Sequence, residues 1–161
     1  MNIDSAHKSN WEIAEVVFGI PFLVSIALQF AVPFSISRGI TGQVLIPAGI
    51  ALMIAGTVII VLARREFAQF GQPTDPGHPT SRIVKTGVFS ISRNPLYLGA
   101  VFIFVGLALT LNNPWTLATL LLSIIICHYI LIIPEEQYLA AKFGEEYTEY
   151  TASVHRWLGR Q

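Results

Sequence analysis

Apolar residues run through this chain in four long stretches, at about residues 16–36, 44–63, 96–111 and 115–133, with polar connections between them. A helix that crosses a bilayer needs roughly 20 apolar residues. The first, second and fourth stretches meet that length, and the third is a little short. Pro21 and Pro33 sit near the ends of the first, where proline kinks or ends a helix, and Pro47 lies in the first turn of the second. The second also carries Gly49, Ala51, Ala55 and Gly56, and the Ala51/Ala55 spacing suits close helix approach. Asn112-Asn113-Pro114 reads as a tight turn that folds the third and fourth stretches into an antiparallel helical hairpin. Trp11 and Trp115 have the character of interfacial anchors. Beyond Pro134 the pattern changes. Leu139, Phe143, Tyr147, Tyr150, Val154 and Trp157 recur at steps of three or four, predicting an amphipathic helical region over 134–158, interrupted at Gly144 and lying on the membrane surface. The pattern predicts an all-α, polytopic membrane fold with about four transmembrane helices, a long cytoplasmic loop and one domain spanning 1–161.

Composition supports that class. Of 161 residues 53% are hydrophobic and 12% charged, about half the charge of an ordinary soluble domain. The net charge of zero gives no footprint for nucleic acid. Cys127, the single cysteine, rules out a disulfide within the chain and a cysteine zinc site, and reads as a small buried hydrophobe; no metal is expected. The polar first twelve residues argue against a cleavable signal peptide. Arg64, Arg65, Arg82, Lys85 and Arg93 gather around the longest connection, and Lys142, Arg156 and Arg160 near the C-terminal end. The connections at 37–43 and 112–114 hold Arg38 alone. The positive-inside rule then puts both termini and the long loop in the cytoplasm, as in a bacterial inner membrane or its equivalent. Arg64-Arg65-Glu66 reads as interface punctuation closing the second span.

The long connection, 67–94, includes Gln72-Pro73-Thr74-Asp75-Pro76-Gly77-His78-Pro79, where no regular element persists. Connections of this length are either functional or disordered. The loop ends at Ser92-Arg93-Asn94-Pro95-Leu96-Tyr97-Leu98-Gly99. Pro95 fits the first turn of a helix whose free N–H groups face the loop, a seat for an anionic group. The plainer reading is a basic loop end at a membrane face.

Upstream of that stretch lies Arg82-Ile83-Val84-Lys85-Thr86-Gly87-Val88-Phe89. Downstream lie Pro134-Glu135-Glu136-Gln137-Tyr138-Leu139 and Phe143-Gly144-Glu145-Glu146-Tyr147. This ordered set, from Thr74 to about Trp157, resembles the integral-membrane methyltransferases of the isoprenylcysteine carboxyl methyltransferase and phospholipid methyltransferase group. The resemblance implies S-adenosylmethionine as cofactor and methyl transfer to a lipophilic or membrane-associated acceptor, a carboxylate or amine of a lipid-like substrate. It implies membrane lipids and a lipophilic or lipidated substrate as partners, with no nucleic acid and no metal. It places Ser81, Arg82, Ile83 and Val84 along the cofactor, and Phe89 where a tyrosine lines the adenosine pocket. Asn94 stands where histidine is more frequent, which excludes an obligatory histidine proton acceptor there. Pro95, Leu96 and Tyr97 complete the cofactor wall, loop 67–95 folds over it, and Glu135 binds the cofactor's amino end with Glu136 beside it.

No catalytic residue is assigned; Arg93, Asn94 and His128 are candidates. Arg93 holds Glu135, contacts the cofactor carboxylate or anchors the loop to headgroups. His128, inside an apolar helix, reads first as a core residue and second as a base. Glu135 and Glu136 also suit plain compensation of a helix N-terminus, although two acids at the end of an apolar span favour a functional role for one of them. Leu131 occupies the position where eukaryotic prenylcysteine methyltransferases carry an arginine implicated in holding the substrate carboxylate. That departure weakens a prenylcysteine substrate and leaves lipid amines, other carboxylates and thiols open. The alternative is a non-catalytic four-span subunit or scaffold that keeps the fold. A small transporter is disfavoured, because the third and fourth spans carry almost no ionisable residue besides His128.

Overall fold

Prolines, asparagines and glycines set where the helices stop. The computed structural model describes residues 14–36, 42–71 and 81–160. Trp11, Arg38 and the loop segment around Asp75 and His78 lie outside the described residues. Helix α1, Ala14–Ala31, ends two residues before Pro33, which disfavours helical backbone in the residue ahead of it. Helix α2, Gly42–Gln69, runs on past the expected end at 63. Arg64, Arg65, Glu66, Phe67, Ala68 and Gln69 include neither proline nor glycine, and the helix stops only before Gly71, whose φ is 64°. Helix α3, Pro95–Thr110, starts with proline in its first turn, as the sequence predicts. At the next turn Asn112 adopts φ 50° and the Asn113 side chain accepts a hydrogen bond from the Trp115 amide at 3.0 Å. That bond caps α4, Pro114–Ile126.

The sequence predicts that the fourth span ends at 133 and a new helix begins after it. The structure instead carries one rod, Pro114–Phe143. A π-helical stretch, Cys127–Ile132, joins α4 to α5, Ile133–Phe143. Pro134 cannot donate to the carbonyl four residues back, and the widened turn before it accommodates the missing bond. Gly144 at φ 54° then turns the chain into α6, Glu145–Ser153. Among the described residues three helices, Ala14–Ala31, Gln43–Gln69 and Pro114–Phe143, are long and apolar enough to cross a bilayer. At 16 residues α3 is shorter. Its length of about 24 Å falls short of a hydrocarbon core of about 30 Å.

Helix α3 packs most extensively on α2, and α1 on α4. In the first pair the backbones nearly touch. A methyl added at Gly56 would lie 2.5 Å from the Gly99 carbonyl oxygen, and one at Gly106 would lie 2.5 Å from that of Gly49. The close approach therefore falls on glycines two turns apart on each helix, in antiparallel register, and not on the expected Ala51/Ala55 pair. Ala51 is exposed. The α1–α4 pair is tied by polar groups: the Ser25 and Thr116 hydroxyls lie 3.0 Å apart, and the Trp115 indole N–H donates to the Val32 carbonyl at 2.9 Å. Val17, Phe18, Leu120, Cys127, Leu131 and Ile132 form the buried apolar core between these helices. Outward-facing Leu23, Phe30, Ile54 and Leu121 stay exposed, an apolar exterior suited to lipid.

Candidate functional site

The loop that precedes α3 is docked from three sides. A 3-10 turn, Gly87–Ser90, sits against the end of α2. The Thr86 hydroxyl donates to Glu66 Oε2 at 2.7 Å, and Gly87, at φ 56°, leaves room for the Glu66 carboxyl that a Cβ would strike. Glu66 thus does more than close a span: it seats the loop, a role that charge punctuation alone does not reveal. Phe89 stacks on Phe67 with ring centroids 4.8 Å apart, and the buried set Ala63, Val84 and Phe89 takes Leu96 at its edge. The Tyr150 hydroxyl donates to the Phe89 carbonyl at 2.7 Å, and Ile83 packs on Tyr147, Tyr150 and Val154. Arg82 lies 5.2 Å from the Phe70 ring centroid, and Ser81 is exposed.

Below the loop is a polar cluster. Glu136 accepts two hydrogen bonds from Arg156, Nε to Oε1 at 2.9 Å and Nη2 to Oε2 at 2.6 Å. Arg93 Nη1 stands 3.2 Å from Glu136 Oε1. Arg93 therefore pairs with Glu136 rather than Glu135. The Arg93 charge also acts on Tyr147, whose phenol burial pushes up to about 12, with Glu136 adding to the rise and Arg93 opposing it. The hydrogen bond to Glu136 raises Arg156 above the ordinary arginine range. Arg156 is placed by the segment that follows α6. The Asn94 side-chain amide donates to the Arg156 carbonyl at 3.0 Å, the Arg93 amide to the His155 carbonyl at 3.1 Å, and the Gly159 amide to the Ile91 carbonyl at 2.8 Å. Residues 154–160 thus form a strap across the start of α3. The strap leaves helical backbone at Val154, so Trp157 packs on the α1–α4 core and not with Tyr147 and Tyr150 as its spacing suggested. Arg93, Glu136, Gln137, Tyr147, Thr151 and Arg156 line an open cavity of about 580 Å³ here.

Glu135 faces elsewhere. Consecutive helical residues point about 100° apart, and the Tyr97 hydroxyl meets Glu135 Oε2 at 3.4 Å, a long contact for this type of bond. Each acid of the pair thus serves a different neighbour. Pro95 is fully buried at the helix start, and Leu131 is a core residue at 1% exposure. The His128 ring lies edge-on to Tyr129 with centroids 5.0 Å apart. The structure therefore gathers Val84, Phe89 and Leu96 in one apolar cluster, Arg93, Asn94 and Glu136 around the strap, and Tyr97 with Glu135. Arg156 was not a sequence candidate. Its nearest signal was a basic residue following the tyrosine-rich helix, and nothing in that position specifies a partner twenty residues back.

Residues 44–146, which hold the loop and the Glu135–Glu136 pair but not the strap, match the family described as phospholipid methyltransferase. The chain belongs to that family. Proteins similar to the chain include protein-S-isoprenylcysteine O-methyltransferase of Saccharomyces cerevisiae, 40% identical over 79 residues, 45% of this chain and 30% of the yeast protein. A probable protein-S-isoprenylcysteine O-methyltransferase of Oryza sativa subsp. indica is 28% identical over 175 residues, 94% of this chain and 89% of that protein. An uncharacterised protein of Haemophilus influenzae is 35% identical over 63 residues, its whole length and 39% of this chain. No solved structure matches at a significant level. Family and apolar helices together make this a membrane protein of the methyltransferase class.

Proposed function

We propose that the chain transfers a methyl group from S-adenosylmethionine to a lipophilic or membrane-associated acceptor, at the carboxylate or amine of a lipid-like molecule. The observation that carries this reading is the placement of Glu135, a partly buried carboxylate whose hydrogen-bond contact among the described residues, a long one to Tyr97, leaves it able to accept further donors. A carboxylate acceptor fits the cofactor's α-ammonium, which donates. When bound, the cofactor supplies an electrophilic methyl on a sulfonium. In this reading Glu135 takes the ammonium, and Ser81, Arg82, Ile83 and Val84 run along the cofactor. Phe89, Asn94, Pro95, Leu96 and Tyr97 wall it, and Glu136 bounds the site through Arg93. The buried Val84 and Phe89, with partly buried Leu96 beside them, and the strap support it, since both would exclude water from the reacting groups.

The proposed topology has four membrane segments, α1, α2, α3 and the Pro114–Phe143 rod, with both termini and the loop before α3 on the cytoplasmic side. The parity is supported by α3, which starts at Pro95 on the face of the membrane that also bears Glu136 and Arg156. The test is calorimetric titration of S-adenosylmethionine into purified wild type and Glu135→Gln. Loss of a charge-assisted bond should weaken binding roughly ten- to a hundred-fold. Equal affinity in a folded Glu135→Gln removes Glu135 from the site.

A further inference from the structure

Two guanidinium groups converge on the single carboxylate of Glu136. Arg156 grips it with two hydrogen bonds, and Arg93 approaches at 3.2 Å. One carboxylate cannot neutralise two cations, so the cluster carries an excess positive charge. Glu135, the nearest acid in sequence, is turned toward Tyr97, and Glu146 is engaged by Lys85 at 3.1 Å. The Nε of Arg93 is buried and has no hydrogen-bond acceptor among the described residues. A buried donor without a partner is costly, and the guanidinium that carries it has to share its charge partner, Glu136, with Arg156. The same groups line the open cavity, joined there by the side chains of Tyr147 and Thr151. Ile133 and Ala140 give it an apolar flank on the rod that runs into the membrane.

We infer that this cavity is an oxyanion site for the acidic group of the methyl acceptor, a carboxylate or phosphate on a membrane amphiphile. The acid group sits against Arg93 and Arg156, and the chain lies along the apolar flank toward lipid. Glu136 positions the two cations and competes with the ligand for them. The inference rests on the methyltransferase reading above for the word acceptor, but the oxyanion site itself does not.

The test is calorimetric titration of decanoate, decyl phosphate and decanol into the full chain in nanodiscs of zwitterionic lipid, with S-adenosylhomocysteine titrated in parallel. Decanoate and decyl phosphate should bind saturably, and decanol should not. Arg156→Gln should weaken decanoate at least tenfold, and Arg156→Lys, which keeps the charge, should weaken it less. Glu136→Gln should tighten decanoate several-fold, because the competing carboxylate is gone; a merely structural cluster would lose binding in both variants. Equal binding of decanol and decanoate, an unchanged affinity in Arg156→Gln, or weaker binding in Glu136→Gln overturns the oxyanion site. S-adenosylhomocysteine should bind Arg156→Gln within about threefold of wild type. If it weakens in step with decanoate, the cations serve the cofactor's own carboxylate and the acceptor assignment is wrong. Decanoate binding without any binding of S-adenosylhomocysteine upholds the oxyanion site and refutes the methyltransferase reading.

Discussion

Gly56 and Gly99 show how much depends on the absence of a single carbon. A methyl at Gly56 would meet a backbone oxygen at 2.5 Å, and backbone cannot swing aside as a side chain does. Gly56→Ala should therefore destabilise the chain by about 1–3 kcal/mol, even though alanine is the better helix former. Gly19→Ala is the control. Nothing lies within 4 Å of the added methyl, so the helix-propensity gain should leave stability unchanged or slightly higher. Denaturant titration in detergent, followed by circular dichroism, compares the two. At the loop, Tyr150→Phe removes the 2.7 Å bond to the Phe89 carbonyl and leaves that buried acceptor unmatched. It should cost about 1–3 kcal/mol in the same titration. Several of these residues were legible in the sequence for what they do locally: Pro95 starts a helix, Asn112 and Asn113 turn the chain, Gly144 breaks a helix, and Cys127 is fully buried. Each of those roles follows from backbone chemistry within a few residues. Partnerships were not legible. Gly56 with Gly99, Glu66 with Thr86 and Arg156 with Glu136 depend on register between distant segments, about which spacing along one segment says nothing.

The π-helical stretch ahead of Pro134 is the element on which the site turns. One extra residue per turn rotates everything downstream by about 100° relative to a regular helix. That rotation helps decide which way Glu135 and Glu136 face. Pro134→Ala restores the missing N–H and permits a regular ladder, so stability should hold or rise while S-adenosylhomocysteine affinity falls at least several-fold. A calorimetric titration next to a thermal melt tests the split; if both quantities are unchanged, the bend does not orient the acids. The sequence shows the proline but marks it as a helix start, because proline is at home in a first turn as well as at a widened one. The same ambiguity hid the continuity of the Pro114–Phe143 rod. The strap has a similar history. Helical spacing carried Trp157 onto the tyrosine face, whereas backbone bonds to Ile91 and Arg93 pull residues 154–160 out of the helix.

At the scale of the whole molecule, a short α3 is sheathed by α2 while α1 and the rod carry the other pair of contacts. The four-segment arrangement predicts that cysteine placed at exposed Ala68, at the end of α2, is labelled from the cytoplasmic side only. Cysteine at exposed Leu111, at the far end of α3, should be labelled from the opposite side only. Labelling of both positions from one side contradicts it. The central claim is that this membrane fold moves a methyl group onto a lipid-like acceptor. Purified protein incubated with methyl-tritiated S-adenosylmethionine and a total lipid extract should transfer label into the organic phase, with Glu135→Gln slower by roughly ten- to a hundred-fold at limiting cofactor. Folded wild-type protein that leaves the organic phase no more labelled than a protein-free control would contradict the account.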